Sequence, residues 1–271
     1  MSSDARTFTV AIDETAGGGS PVALLAQASG LSRQAVKAAM HKGAVWLEHA
    51  GHVRRLRRHK ARLQPGDRLI LHYDPQVLAA QVPRARLVAD EGGFSVWEKP
   101  PGMRSHGSRW GDHTSLVRFA ETELQRVSFL VHRLDAAASG LILVAHGKGT
   151  ARELSALFEQ RQVAKSYRVQ VHGRFPEAEQ RYDTPLDGKP ALTHARRIAY
   201  APDTDRSELE VRIETGRKHQ IRRHLAGAGF PVVGDRLYGH PSDCDEWLAL
   251  RAVELAFHFG QPRRYRLDPL D

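Results

Sequence analysis

The chain has 271 residues, 41% hydrophobic and 26% charged, and forty Lys and Arg against thirty-one Asp and Glu give a formal charge of +9. That excludes a disordered chain and describes one large domain or two smaller ones. A single cysteine, Cys244, excludes an intrachain disulfide and every multi-cysteine metal centre, and no apolar run reaches the roughly 18–20 residues of a membrane span.

The opening segment has no basic start leading into an apolar stretch, so no signal peptide is expected and the expected location is cytoplasmic. The positive surplus makes a polyanion the first partner to test. It is unevenly spread: residues 31–75 hold ten Lys/Arg and three Asp/Glu, with seven of the ten between Arg54 and Arg68. The expected organisation is a small basic module over 1–75, a proline-marked linker over 76–86 and a larger, nearly balanced module over 87–271.

In chain order, Gly17-Gly18-Gly19 is a loop and Pro21–Ala28 a short helix. Ser32 is an N-cap for a helix over Arg33–Lys42, with Val36, Ala39 and Met40 on one face and Gly43 as its stop. Val45–Leu47 and Arg68–Tyr73 read as strands, with turns at Ala50-Gly51 and Pro65-Gly66-Asp67. In the larger module, strand-like runs are Leu87–Ala89, Phe94–Trp97, Ser128–Val131, Leu141–Ala145, Tyr167–Val171, Thr193–Ile198 and Leu209–Ile213. Helix-like runs are Thr114–Leu124, Ala151–Glu159 and Lys218–Gly227. Strands outnumber helices without regular alternation, which predicts an α+β fold with a mixed, largely antiparallel sheet.

HExxH, GxSxG and phosphate-loop motifs are absent, and His219 and His224 are five apart, off the spacing of helical zinc ligands. No metal or cofactor is expected. Three segments carry chemistry. His132-Arg133-Leu134-Asp135 runs into the small residues Ala136–Gly140 and then a buried strand. An acid thus sits in a tight, unobstructed loop, where an ordinary Asp would cap a turn or pair with Arg133. Glu214–Leu225 is a glycine turn into a basic helix, a ready anion site, anchored by Ile221 and Leu225. Lys165-Ser166-Tyr167 opens a strand, with a tyrosine placed either to stack on a base or to fill core space. In the small module, Arg33, Lys37, Arg54, Arg55, Arg57 and Arg58 are the candidate phosphate contacts.

The small module resembles the RNA-binding module named after ribosomal protein S-four, through Ser32-Arg33, Lys42-Gly43-Ala44-Val45 and Gly66-Asp67. The larger one resembles the RNA pseudouridine synthases typified by RluA. The resemblance runs through Lys99-Pro100-Pro101-Gly102, His132–Gly140, Lys165 and Tyr167, Gly216–Arg222, and Gly229, Pro231, Gly234, Asp235, Tyr238 and Gly239, covering about residues 87–259. It departs at Ala136 and Ala138, where the family has Arg and Thr. The resemblance implies that the family's Arg enters the RNA and helps evert the target nucleotide; Arg104, Arg109 and Arg133 are the candidate substitutes, among which the sequence does not choose.

The resemblance implies an isomerase with the pseudouridine synthase fold, its sheet around a central cleft. The enzyme breaks the uridine N1–C1′ bond, rotates the uracil and rejoins it through C5, without cofactor or metal. It implies Asp135 as nucleophile, Arg217 paired with it and keeping it charged, and Tyr167 stacked on the uracil. Arg133, Lys218 and Arg222 would bind RNA, with His132, Leu134, Lys165, Gln220 and Ile221 in support. The expected partner is RNA, ribosomal favoured over transfer RNA, with no membrane and no obligatory protein partner, and the chain a monomer. The alternatives are a non-catalytic RNA binder on the same fold, motivated by Ala136, and a small-molecule hydrolase or lyase using Asp135 and His132.

Overall fold

The computed structural model describes residues 4–14, 19–240, 243 and 245–268; Cys244 and the run Gly17-Gly18 lie outside them. The chain divides into two compact units, Met1–Val82 with His106–Phe119, and Pro83–Ser105 with Ala120–Asp271.

The first unit holds β1 (Arg6–Ala11), α1 (Pro21–Ser29), α2 (Arg33–His41), β2 (Val45–His49), β3 (His52–Arg55), β4 (Arg68–Tyr73) and α3 (Pro75–Ala79). Its strands pair antiparallel in the order β1-β4-β2-β3. The Ser32 hydroxyl accepts the Ala35 amide at 3.1 Å, which sets the start of α2 where the sequence indicates. Val36, Ala39 and Met40 are buried with Leu25, Val45, Leu69 and Leu71 in one apolar cluster. Ala50 and Gly51 both take positive φ, 47° and 79°, the backbone a two-residue hairpin needs between β2 and β3.

Two boundaries differ from expectation. Prolines alone suggest a linker after residue 75, but Asp74 caps α3 by accepting the Gln76 and Val77 amides at 3.1 and 3.2 Å. Asp followed by Pro is a helix start, and α3 buries Leu78 in the first unit's core. The second difference is His106–Phe119, which folds with the basic unit. The Asp112 amide donates to Lys42 O at 2.9 Å, and Trp46 Nε1 donates to Arg109 O at 3.0 Å. The Asp112 carboxylate pairs with Arg57 and, at 3.2 Å, with Arg55. Such pairing across more than fifty residues has no local sequence signal.

The second unit holds β5 (Arg86–Asp90), β6 (Phe94–Lys99), α4 (Leu116–Leu124, its first turn counted with the other unit), β7 (Phe129–Leu130), β8 (Ser139–Ala145), α5 (Lys148–Glu159) and β9 (Ala164–His172). It continues with β10 (Gln180–Tyr182), β11 (Thr193–Ala201), β12 (Arg206–Ile213), α6 (Gln220–Gly227), β13 (Leu250–Phe259) and β14 (Gln261–Arg266). The sheet runs β10-β11-β12-β9-β13-β8-β6-β5, with β14 on β13 and β7 on β8. Among the described residues its pairings are antiparallel except β8 with β13, so the fold is α+β with a largely antiparallel sheet. β13 and β14 lie beyond the last element the sequence suggests. β13 is nonetheless central, and a bulge between Ala252 and Glu254 breaks its alternation. Phe94, Val96, Leu141, Leu143, Leu154, Leu255 and Phe257 form the core beneath.

Gly140 is where the parallel pair closes. Its φ is +106°, and a Cβ there would lie 2.2 Å from Ala252 O and 2.5 Å from Ala252 N. Neither backbone atom can retreat without breaking β13. Gly140→Ala is expected to cost about 3 kcal/mol, read as a lower denaturant midpoint at unchanged slope.

Candidate active site

The loop from β7 to β8 and the loop from β12 into α6 border one cavity of about 610 Å³, lined by Asp135, Arg133, Lys165, Tyr167 and Arg222 among others. That is within the roughly 300–1,000 Å³ of small-ligand sites. Asp135, 19% exposed, places Oδ2 3.3 Å from Arg222 Nη1 and Oδ1 3.7 Å from His219 Nε2. Arg222 is buried. It gives Nε and Nη2 to the two oxygens of Asp235 at 2.7 and 2.6 Å, so only its remaining edge is left for Asp135. Burial works against the Arg222 charge, but Asp235 and Asp135 outweigh it and raise its pKa. Tyr167 projects from β9 and is 8% exposed. Burial, reinforced by the Asp135 charge, pushes its phenol well up, so it stays protonated at neutral pH.

The loop that carries Asp135 is held by its backbone. Lys99, fully buried at the end of β6, donates to the carbonyls of Pro100 (3.0 Å), Met103 (2.8 Å), Ala136 (3.3 Å) and Ala138 (2.5 Å). The Gly102 amide donates to Ala136 O at 2.8 Å. On the other side of Asp135, the Ser105 hydroxyl donates to Leu134 O at 2.8 Å and accepts the Leu134 amide at 3.0 Å. His132 Nε2 accepts the Leu143 amide at 2.9 Å, and its ring stacks on Phe158 with centroids 4.1 Å apart. Burial and the Lys165 charge push His132 down to about 3, so it is a neutral acceptor that ties the loop to β8.

A family model for RNA pseudouridylate synthase matches residues 93–227. The dual-specificity RNA pseudouridine synthase RluA of Escherichia coli (strain K12) is 34% identical over 179 residues, covering 59% of this chain and 80% of that one. The chain belongs to the RluA-type RNA pseudouridine synthases. An uncharacterized RNA pseudouridine synthase of Aquifex aeolicus (strain VF5) is 29% identical over 259 residues, 84% of this chain and 81% of that one. The solved structure of human RNA pseudouridylate synthase domain containing 1 has the same fold, with a TM-score of 0.61 at 23% identity over 70% of this chain and 85% of that one. The protein is therefore an isomerase that converts uridine to pseudouridine in RNA.

Four arginines make contacts other than those expected of them. Arg217, expected beside Asp135, instead donates from Nε to Pro190 O at 2.9 Å. Helix α6 starts at Gln220, not Lys218; Arg217 lies on the turn before it, and Arg222, within it, is the residue that points at the nucleophile candidate. Arg222, expected to bind RNA, is too buried to meet a phosphate. Arg55 and Arg57 are half-buried and tied to the His106–Phe119 segment, with Arg55 also 4.2 Å over the Trp46 ring. Arg33, Lys37, Arg54, Arg58, Arg133 and Lys218 remain exposed, and Arg133 and Lys218 line the cavity. Leu134 and Ile221 are packing residues. Lys165 is half-buried on the cavity wall, its pKa lowered by burial and by Arg161. Gln220 fastens the Gly216 turn: its Oε1 accepts from Thr215 Oγ1 (2.6 Å) and the Arg217 amide (3.0 Å), and its Nε2 donates to Leu192 O (2.9 Å).

Sequence reasoning leaves Lys99, Ser105, His219 and Asp235 without roles. Lys99, His219 and Asp235 do lie within the family motifs, and Ser105 has no such signal. Burial pulls the Lys99 pKa from its ordinary 10.5 down to about 7, against the pull of Asp135. The folded synthase therefore binds fewer protons there than the unfolded chain, and its stability gains from Lys99 as pH rises from about 7 through 10.5. Lys99→Met keeps the buried stem and takes the cationic donor away from the carbonyls of Pro100, Met103 and Ala138, while Ala136 O keeps the Gly102 amide. The expected outcome is a loss of about 1–3 kcal/mol near neutral pH, disappearance of that alkaline slope, and a kcat down about tenfold or more, read by denaturation at several pH values and by single-turnover assays.

Proposed function

We propose that the synthase uses Asp135 as its nucleophile on a uridine everted into the cavity, with Arg222 holding the carboxylate and Tyr167 stacked on the uracil. The observation that supports this most directly is the Asp135–Arg222–Asp235 arrangement: an accessible carboxylate at the cavity floor, oriented by a cation that a second, fully buried carboxylate keeps in place. The carboxylate supplies a group able to form and leave an adduct while N1–C1′ breaks and C5 rejoins the sugar. The protonated phenol of Tyr167 suits stacking and hydrogen-bond donation.

The basic unit is proposed as an S-four-like grip on structured RNA, ribosomal favoured over transfer RNA. Exposed Arg33, Lys37, Arg54, Arg58, Lys60 and Arg62 have no ion pair among the described residues, whereas cations along the larger unit's sheet are matched: Arg168 with Glu208, Arg196 with Glu210, Arg212 with Glu179 and Arg264 with Glu254. A second grip in addition to a cleft-bearing unit favours an RNA large enough to engage both.

RNA carrying 5-fluorouridine is expected to form a covalent complex with the wild type, and Asp135→Ala to form none and to lower pseudouridine formation by at least about a thousandfold. Pseudouridine formation that survives in Asp135→Ala would rule out the assignment. For the grip, removing residues 1–75 would strip the His106–Phe119 segment of its partners, so substitution is the cleaner test. Ala at Arg54, Arg58, Lys60 and Arg62 together is expected to raise KM on long structured RNA and to lower the salt slope of binding by about 1 for each phosphate no longer held. Mapping pseudouridines in cellular RNA with and without the protein identifies the RNA and the uridine.

A further inference from the structure

Asp135 is addressed at both oxygens by different groups. Arg222 takes Oδ2, and His219 Nε2 faces Oδ1 at 3.7 Å. His219 occupies the residue before α6 with φ 54° and ψ 29°, left-handed backbone, and its side chain makes no capping bond. A non-glycine residue stays in that region only where its surroundings over-determine it, and such positions gather at functional sites. What holds it is Tyr238. The phenol oxygen is 3.0 Å from His219 Nδ1, and the rings meet edge to face at 5.7 Å. The Arg222 guanidinium lies 5.2 Å over the same tyrosine ring. Tyr238 is set in turn by Asp235, whose Oδ1 accepts the Tyr238 amide at 3.1 Å and whose carbonyl accepts the Gly239 amide at 2.8 Å. At Gly239 a Cβ would lie 2.3 Å from that carbonyl, so the turn admits no side chain. Asp235 thus carries both Arg222 and Tyr238, and through them the two groups that face Asp135.

We propose that His219 is a positioning residue for Asp135 and that Tyr238 sets its tautomer; this rests on Asp135 being the nucleophile. The Tyr238 hydroxyl donates to Nδ1, which leaves the imidazole proton on Nε2, facing Oδ1. Neutral His219 and Arg222 together fix the plane of the carboxylate and turn its remaining lone pairs into the cavity. The 3.7 Å separation is of the loose kind that tightens when substrate closes a site.

The groups facing His219 are Asp135 from the β7–β8 loop, Lys218 and Arg222 from its own segment, and Asp235 and Tyr238 from the following turn. Burial lowers its pKa; Asp135 opposes this, Arg222 and Lys218 add to it, and Asp235 opposes it. Once protonated, Nδ1 no longer accepts from Tyr238, and the imidazolium pairs with Asp135 as a full charge and withholds its lone pairs. kcat therefore falls on the acid side as His219 gains its proton.

The test is single-turnover kcat, KM and a pH profile on a short uridine-containing stem-loop for wild type, H219N, H219Q and Y238F, with thermal melts alongside. Asn tolerates the left-handed backbone but stops short of Oδ1; Gln reaches about as far as Nε2 and does not titrate. H219N is expected to lower kcat about tenfold or more at nearly constant KM, and Y238F to lower it several-fold. H219Q is expected to be several-fold faster than H219N and to lack the acid-side inflection of the wild type. Wild-type kcat in both H219N and Y238F, or the acid inflection persisting in H219Q, would overturn the proposal. Failure of the underlying nucleophile assignment looks different: Asp135→Ala then still makes pseudouridine, whatever His219 does.

Discussion

A guanidinium cannot be buried alone. Arg222 is 5% exposed at its side chain, and the cost of taking that charge out of water is met by two carboxylates that come from opposite directions in the chain, Asp235 thirteen residues later and Asp135 eighty-seven residues earlier. Asp235 satisfies the guanidinium fork outright. What remains is one N–H edge with a fixed position and a permanent charge, and the fold turns that edge to face Asp135. The site depends on this asymmetry: one carboxylate is wholly committed, so the other can stay partly exposed and available.

The same logic governs the Asp135 loop. The residues that follow Asp135 in it are small, so no side chain there can anchor them. The anchoring comes from outside, by Lys99 to the carbonyls that follow Asp135, by Ser105 to the peptide groups of Leu134, and by His132 to β8. Each is a buried polar group that would be costly if unpaired, and each offsets that cost by binding backbone. Arg222, and Lys99 in its protonated form, are set against Asp135 and Asp235, so the closed part of the site offsets much of its own negative charge before RNA arrives. A polyanionic substrate then meets a floor that does not repel it and a rim, with Arg133, Lys218 and Arg161, that attracts it.

Charge outside the cleft follows a different rule. On the larger unit's sheet, Arg168 and Arg196 pair with Glu208 and Glu210 of the neighbouring strand β12, and Arg212 with Glu179 just before β10, which stabilises the surface little but leaves these cations already matched. In the basic unit the exposed cations around β3 have no such matching among the described residues. Arg55 and Arg57, adjacent to them in sequence, are diverted inward by Asp112. The net charge of +9 is therefore a poor guide to where RNA is gripped until the pairs are subtracted.

Much of this is local and legible from residues alone. The Ser32 cap, the Val36–Ala39–Met40 face, the buried run of β8 and the α+β class follow from periodicity and capping, which act over a few residues. The His-Arg-Leu-Asp segment before five small residues identifies an exposed acid at a strand mouth, and its company of motifs identifies the family. The capping role of Asp74, masked by its prolines, and the bulged strand β13 escape the same kind of reasoning because a second pattern overlies the first. What the sequence by itself determined is the chemistry available: a carboxylate in a small-residue loop, a tyrosine, several arginines and no redox or metal centre built from cysteines. What only the tertiary structure decided is assignment, namely Arg222 rather than Arg217 beside Asp135, Asp235 behind it, and Asp112 removing two cations from the surface. Ion pairs are chosen by proximity after folding. Proximity across such long stretches of chain depends on where strands and turns bring it back, and here they bring Arg222 of α6 to Asp135 while Arg217, on the turn before it, bonds Pro190 O instead.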